Sequence, residues 1–130
     1  MYFEERLKKG EEIQIASLGR ARTNMKVWKE LAPDHAEAIL GWCFGTAWNQ
    51  PLLDFKTREF IVMATVLGQD LREEVGKHIR GALNRGATPE EVVEVIMQCS
   101  PYVGIPKTNH ALLEAKNVLD QWDERDDWKP

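Results

Sequence analysis

Asn84-Arg85-Gly86-Ala87-Thr88-Pro89-Glu90-Glu91 closes one helix and opens the next, and the fold class is read outward from it. Gly86 suits the left-handed residue that ends a helix, because without a Cβ it takes positive φ at little cost. Thr88 as N-cap, Pro89 as first helical residue and Glu91 three places after the cap form a capping box. Upstream, the spacing predicts an amphipathic helix from about Leu71 to Arg85, with Leu71, Val75, Ile79 and Ala82 on one stripe and Glu74 and His78 one turn apart along its edge. Before it, Asp54 can cap a helix from Phe55 to about Gly68, apolar nearly all round and therefore central. Downstream, Val92, Val93, Val95, Ile96 and Met97 read as a buried helix from Pro89 to about Cys99, ended by Ser100-Pro101. The connector Tyr102 to Pro106 then leads into a last helix to about Trp122.

No sustained alternation of apolar and polar residues argues for a sheet, so the expectation is an all-α domain of about six helices around a central antiparallel hairpin. In the N-terminal part, Arg20–Leu31 and Pro33–Trp48 read as two helices divided at Ala32-Pro33. The tail Asp123 to Pro130 is highly charged and is expected to fray, with Trp122 and Trp128 suited to a neighbouring subunit. All 130 residues fit one domain, with a core at about 40–116, N-terminal helices before residue 40 and a charged tail from 117.

Charge and composition narrow the function classes. With 17 Lys and Arg against 21 Asp and Glu, the net charge is −4 and no basic stripe stands out, so nucleic-acid binding lacks its electrostatic footprint. The first residues do not resemble a signal peptide and no apolar run is long enough for a bilayer, which leads to the expectation of a cytoplasmic protein with no membrane partner. Cys43 and Cys99 form no Cys-x-x-Cys pair and read as reduced, buried thiols. His35 and His110 stand in no metal-ligand spacing and no acidic cluster suits a hard cation, so no metal site is expected.

Glu59 is the anomaly. It is the only charged residue in Glu59-Phe-Ile-Val-Met-Ala-Thr-Val-Leu67, and a carboxylate on so apolar a segment costs several kcal/mol, roughly, unless paired or neutralised. If the two central helices pack antiparallel through Gly68-Gln69-Asp70, Glu59 comes within reach of His78. A carboxylate on one imidazole nitrogen fixes the tautomer and leaves the other free to move a proton. A core link that only joins two helices explains the same spacing, and spacing alone leaves both readings open. Glu74 can steady His78 or form an ordinary exposed pair along the helix. Arg85, two turns beyond His78, and Arg58 are candidates to hold a carboxylated ligand. Trp48 and Tyr102 are candidate cavity walls.

Phe44-Gly-Thr-Ala-Trp48, Leu53-Asp-Phe-Lys-Thr-Arg-Glu59, Lys77-His-Ile-Arg-Gly-Ala-Leu-Asn-Arg-Gly86, Thr88-Pro-Glu-Glu and Tyr102-Val-Gly-Ile-Pro106 together resemble the carboxymuconolactone decarboxylase family over residues 40–116. The resemblance implies an alkylhydroperoxidase D-like helical fold and a homo-oligomer, commonly a hexamer built as a trimer of dimers. The peroxidase branch carries a Glu, a Cys-x-x-Cys pair and a His. By spacing these fall on Glu59, on Leu71 and Glu74, and on His78, so the proton-handling residues are kept and the dithiol is missing. That points to the decarboxylase branch, whose implied substrate is the small carboxylated lactone γ-carboxymuconolactone, giving β-ketoadipate enol-lactone and carbon dioxide without a cofactor. A related enzyme acting on another small lactone or keto acid, and a non-catalytic oligomeric binding protein, are the competing readings.

Overall fold

The computed structural model describes residues 2–20 and 23–130. Among them there are helices and no strand: α1 (Phe3–Leu18), α2 (Met25–Leu31), α3 (Pro33–Glu37) running on into a π-helical segment (Ala38–Ala47), α4 (Phe55–Gly68), α5 (Arg72–Asn84), α6 (Pro89–Val103) and α7 (Ile105–Gln121), followed by short 3-10 turns at Trp122–Glu124 and Asp126–Trp128. No helix among the described residues is long and apolar enough to cross a membrane.

Helices α4 and α5 form a hairpin through a tight turn in which Asp70 takes φ 55°, and α6 and α7 form a second hairpin about Gly104 at φ 94°. The two hairpins share one core of Met63, Leu67, Val75, Ile79, Val92, Ile96 and Val118, each 2% exposed or less. Both expected boundary signals are present: Gly86 has φ 92°, and Thr88 accepts from Glu91 N at 3.1 Å while Glu91 Oε1 accepts from Thr88 N at 3.0 Å. Asp54 caps α4 by accepting from Thr57 N at 2.7 Å.

A second, smaller cluster of Ile13, Leu18, Phe44 and Trp48 covers one end of the α4–α5 hairpin, with Phe55 and Val62 packed against it. It forms because α1 lies directly on the π-helical segment. A Cβ at Gly10 would strike the Leu40 carbonyl, and one at Gly45 would strike the Arg6 carbonyl, so two glycines set the backbone contact. Trp48 N reaches back five residues to Cys43 O at 2.9 Å, the wide spacing of a π-turn.

Several boundaries differ from expectation. No helix was expected before Arg20, yet α1 is the longest N-terminal element; its buried face includes Gly10, Gln14 and Ser17, which carry no hydrophobic signal. The helix expected over Arg20–Leu31 begins only at Met25, after Asn24 at φ 51°, and its positions 21 and 22 lie outside the described residues. The helix expected over Pro33–Trp48 is divided in character, α-helical to Glu37 and π-helical beyond. Helix α6 does not stop at Ser100 but passes through Pro101 to Val103. Pro101 lies on the exposed side, where the backbone acceptor it leaves unbonded can face water. The tail Asp123 to Pro130 does not fray: α7 ends at Gln121, close to the expected Trp122, and beyond it two short 3-10 turns bring Trp128 to 3% exposure. Trp128 packs into its own chain's main core, where the guanidinium groups of Arg80 and Arg125 cover its ring at 5.0 and 4.3 Å and Asn84 Nδ2 donates to its carbonyl. Cys43 and Cys99 are free thiols, and both are half-buried rather than fully buried.

Candidate active site

Helix α4 carries Glu59 on the side that meets α5, because the residues a turn away, Phe55 and Met63, share that face and pack into the two cores. The result is a carboxylate with 0% exposure. From α5, His78 comes to meet it on the same face as Val75 and Ala82, and His78 Nδ1 lies 2.8 Å from Glu59 Oε2. The other ring nitrogen, Nε2, faces Glu74 Oε2 at 3.6 Å, one turn earlier on α5. The indole of Trp48 stacks on the imidazole with 6.4 Å between centroids and 29° between planes.

This setting acts on each group in a definable direction. Burial pushes the Glu59 carboxyl above its ordinary 4.5, opposed by the His78 hydrogen bond and by the charges of His78, Arg85 and Lys77. Burial alone would depress His78, but the hydrogen bond to Glu59, the facing Glu74 carboxylate and the Glu59 charge lift it above its ordinary 6.5. An ionised Glu59 accepts only; opposite it Nδ1 carries the shared proton, and Nε2 is then the position at which a proton can be exchanged. Glu74 is held below its ordinary 4.5 by the facing His78 imidazole, with the Lys77 charge in support.

The other expected residues are placed differently. Arg58 is turned onto the preceding loop, donating to the carbonyls of Ala47, Gln50 and Leu53 at 3.1, 2.7 and 3.2 Å. It thereby fixes the segment that carries Trp48. Arg85 does lie beyond His78 on the inner face of α5, but its guanidinium is engaged by α1: Nε donates to Ser17 Oγ at 2.8 Å and Nη2 to the Ile13 carbonyl at 3.2 Å. The same group lies 4.0 Å over the Phe55 ring. Tyr102 is 84% exposed on the last turn of α6 and is not among the residues around the pair. Sequence reasoning missed Ser17 and the α1 backbone as partners of Arg85, since no local signal in Ile13-Gln-Ile-Ala-Ser-Leu18 ties Ser17 to a residue so far along the chain. It also passed over Lys77, whose Nζ lies 3.9 Å from Glu74 Oε1 and whose position beside His78 at three residues from Glu74 was a usable signal.

Of the remaining histidines, His110 binds Asp70 Oδ1 through Nδ1 at 2.8 Å and meets Arg72 at 3.0 Å through Nε2, which ties α7 to the α4–α5 turn. His35 packs edge-on against Trp28. No group of three or more His, Cys, Asp or Glu able to hold a metal occurs among the described residues.

A buried carboxylate and imidazole on adjacent helices, with one imidazole nitrogen outward, can hold and deliver a single proton. Known proteins with related chains include decarboxylases. The chain is 31% identical over 118 residues to 4-carboxymuconolactone decarboxylase of Acinetobacter baylyi, covering 89% of this chain and 88% of that one. It is also 31% identical over 93 residues to nitrosuccinic acid decarboxylase of Metarhizium robertsii, covering 72% of this chain and 65% of that one. A solved structure of a candidate carboxymuconolactone decarboxylase from Burkholderia xenovorans LB400 shares the fold, with a TM-score of 0.69 at 18% identity and 95% of this chain covered. Residues 33–117 match the Carboxymuconolactone decarboxylase family. With the helical hairpin, the extended match and these relatives in agreement, the chain belongs to the carboxymuconolactone decarboxylase family.

Proposed function

We propose that this protein is a cofactor-independent decarboxylase of a small carboxylated lactone, with γ-carboxymuconolactone as first candidate, in which the Glu59–His78 pair reprotonates the carbanion. The observation that carries the reading is the 2.8 Å contact between His78 Nδ1 and a fully buried Glu59, with Nε2 turned to the half-exposed Glu74. Loss of carbon dioxide leaves an electron pair on the ring carbon. That pair spreads through the ring double bond to the lactone carbonyl, so the substrate supplies its own electron sink. The dienolate is then protonated at the carbon next to the carbonyl, breaking the Nε2–H bond of His78; solvent restores the proton. Glu59 keeps the imidazole oriented and basic throughout. A positioned acid of this kind contributes on the order of 10²–10⁴ in rate.

Glu74 stands where the substrate must approach Nε2. Being 44% exposed at the side chain, it can swing outward and admit the ring, and it repels a second anion until it does. Trp48 supplies an aromatic wall beside the imidazole. Arg85 and Arg58 can serve a substrate carboxylate only by loosening their backbone and Ser17 bonds, so both are proposed as secondary contacts. Exposed Met97, Tyr102, Ile105 and Leu113 offer apolar surface for a homo-oligomer, with a hexamer as the form to test. Tyr102 would then serve a site shared between copies.

One relative supports a second substrate class. Nitrosuccinic acid, like the lactone, carries its own sink, since a nitro group can take up the electron pair left by decarboxylation; a small acid of that kind would use the same proton donor. Carbon dioxide release measured on γ-carboxymuconolactone, other lactone acids and nitrosuccinate separates the two. Turnover of the first supports the proposal, turnover only of a nitro acid favours the second, and none on any of them opposes both.

A further inference from the structure

We infer that Gly81 is a positioning residue for the Glu59–His78 pair: the space left by its missing side chain is the space in which the Glu59 carboxylate lies. Gly81 sits in the interior of α5, three residues after His78, with its α-carbon turned to α4. A Cβ built there would lie 2.6 Å from Glu59 Cδ and 2.8 Å from Oε2, and its nearest neighbours all belong to that carboxyl group. Backbone blocks a side chain at Gly10 and Gly45; at Gly81 the obstacle is the reactive carboxylate itself.

That difference decides what a methyl group would do. The end of a side chain yields before helix backbone does, so the carboxylate would retreat by about 0.8 Å, from 2.6 Å to the 3.4 Å of ordinary contact. The bond to His78 Nδ1 is 2.8 Å and has little slack before it passes the ~3.2 Å limit of a good hydrogen bond. Glu59 has 0% exposure and cannot find water instead. Glycine is otherwise a poor choice inside a helix, where alanine is favoured, so its presence opposite Glu59 has a local steric reason.

The inference deepens the proposed proton transfer and rests on it only for the effect on turnover; the effects on His78 titration and on folding are independent of any substrate. The test compares Gly81→Ala in the wild-type background and in Glu59→Ala, reading Tm, the His78 titration by NMR and carbon dioxide release. In wild type, Gly81→Ala should lower Tm, shift the His78 midpoint down by a unit or more and cut kcat at least tenfold with KM little changed. In Glu59→Ala, where the obstructing carboxylate is gone, the same change should raise Tm. An unaltered His78 midpoint, or an equal fall in Tm in both backgrounds, overturns the inference. Should Gly81→Ala fail to fold alone, a double variant more stable than Glu59→Ala supports it, and a double variant that also fails to fold overturns it. If wild type decarboxylates nothing tested, the proposed function fails while the titration and Tm comparisons still decide the role of Gly81.

Discussion

Replacing Glu59 by glutamine separates a proton-handling pair from a structural clamp. The side chain keeps its shape, and its amide oxygen can still accept from His78 Nδ1 at the position of Oε2. Its NH2 takes the place of Oε1, a buried atom with no hydrogen-bond partner among the described residues. An unsatisfied buried donor costs about 1–3 kcal/mol, and exchanging a charge-assisted hydrogen bond for a neutral one costs about 1 kcal/mol more. Against this, an ion that burial disfavours is no longer buried, which returns a few kcal/mol, roughly. The two sides nearly offset, so urea unfolding should show a change within about 2 kcal/mol in either direction. Proton affinity has no such compensation. Loss of an adjacent opposite charge should lower the His78 midpoint by about 1–3 units, on the order of 1.4–4 kcal/mol in proton binding. NMR titration of the 3 histidines, assigned with a His78→Asn variant, measures it directly. An unmoved midpoint together with a stability loss above ~4 kcal/mol would refute the reasoning and leave Glu59 as a clamp.

The pH dependence has a definite sign. Because folded His78 binds its proton more tightly than the ordinary 6.5, its protonated form adds stability that is fully present below pH 6.5 and is lost as pH rises through the folded value. Wild type should therefore lose stability relative to His78→Asn as pH climbs above 6.5, and an opposite slope would contradict the assignment. Arg85→Ala removes two charged hydrogen bonds to α1 and should destabilise by about 2–4 kcal/mol in urea unfolding; a KM rise of tenfold or more with unchanged stability would instead make Arg85 a substrate ligand. Thr88→Ala breaks the capping box of α6 and should cost about 1 kcal/mol without altering the His78 titration.

The central hairpin was legible because its signals are local. Asp54 and Thr88 are caps, Gly86 is a left-handed stop, and Glu59 is conspicuous on an apolar helix. The pairing with His78 followed from a short turn and antiparallel packing alone. Helix α1 was hidden because its inner face uses Gly10, Gln14 and Ser17, whose burial depends on backbone contact with a π-helical segment that only the assembled fold reveals. The same dependence hid the partners of Arg85, Ser17 and Ile13, which lie about seventy positions away in sequence. The loop contacts of Arg58 were hidden because a free guanidinium and one bonded to loop carbonyls have the same sequence signature. The tail misled in the opposite way: its charge density suggested solvent, while Trp128 and the cations stacked on it settle the segment against the core.

Decarboxylation of γ-carboxymuconolactone in D2O, by wild type and by His78→Ala at matched Tm, tests the central claim most directly. The account predicts one carbon dioxide released per substrate by wild type and one deuteron at the product carbon next to the lactone carbonyl, with turnover reduced about 10²–10⁴-fold in His78→Ala. Equal turnover by the two proteins, with deuterium delivered equally well, would contradict it.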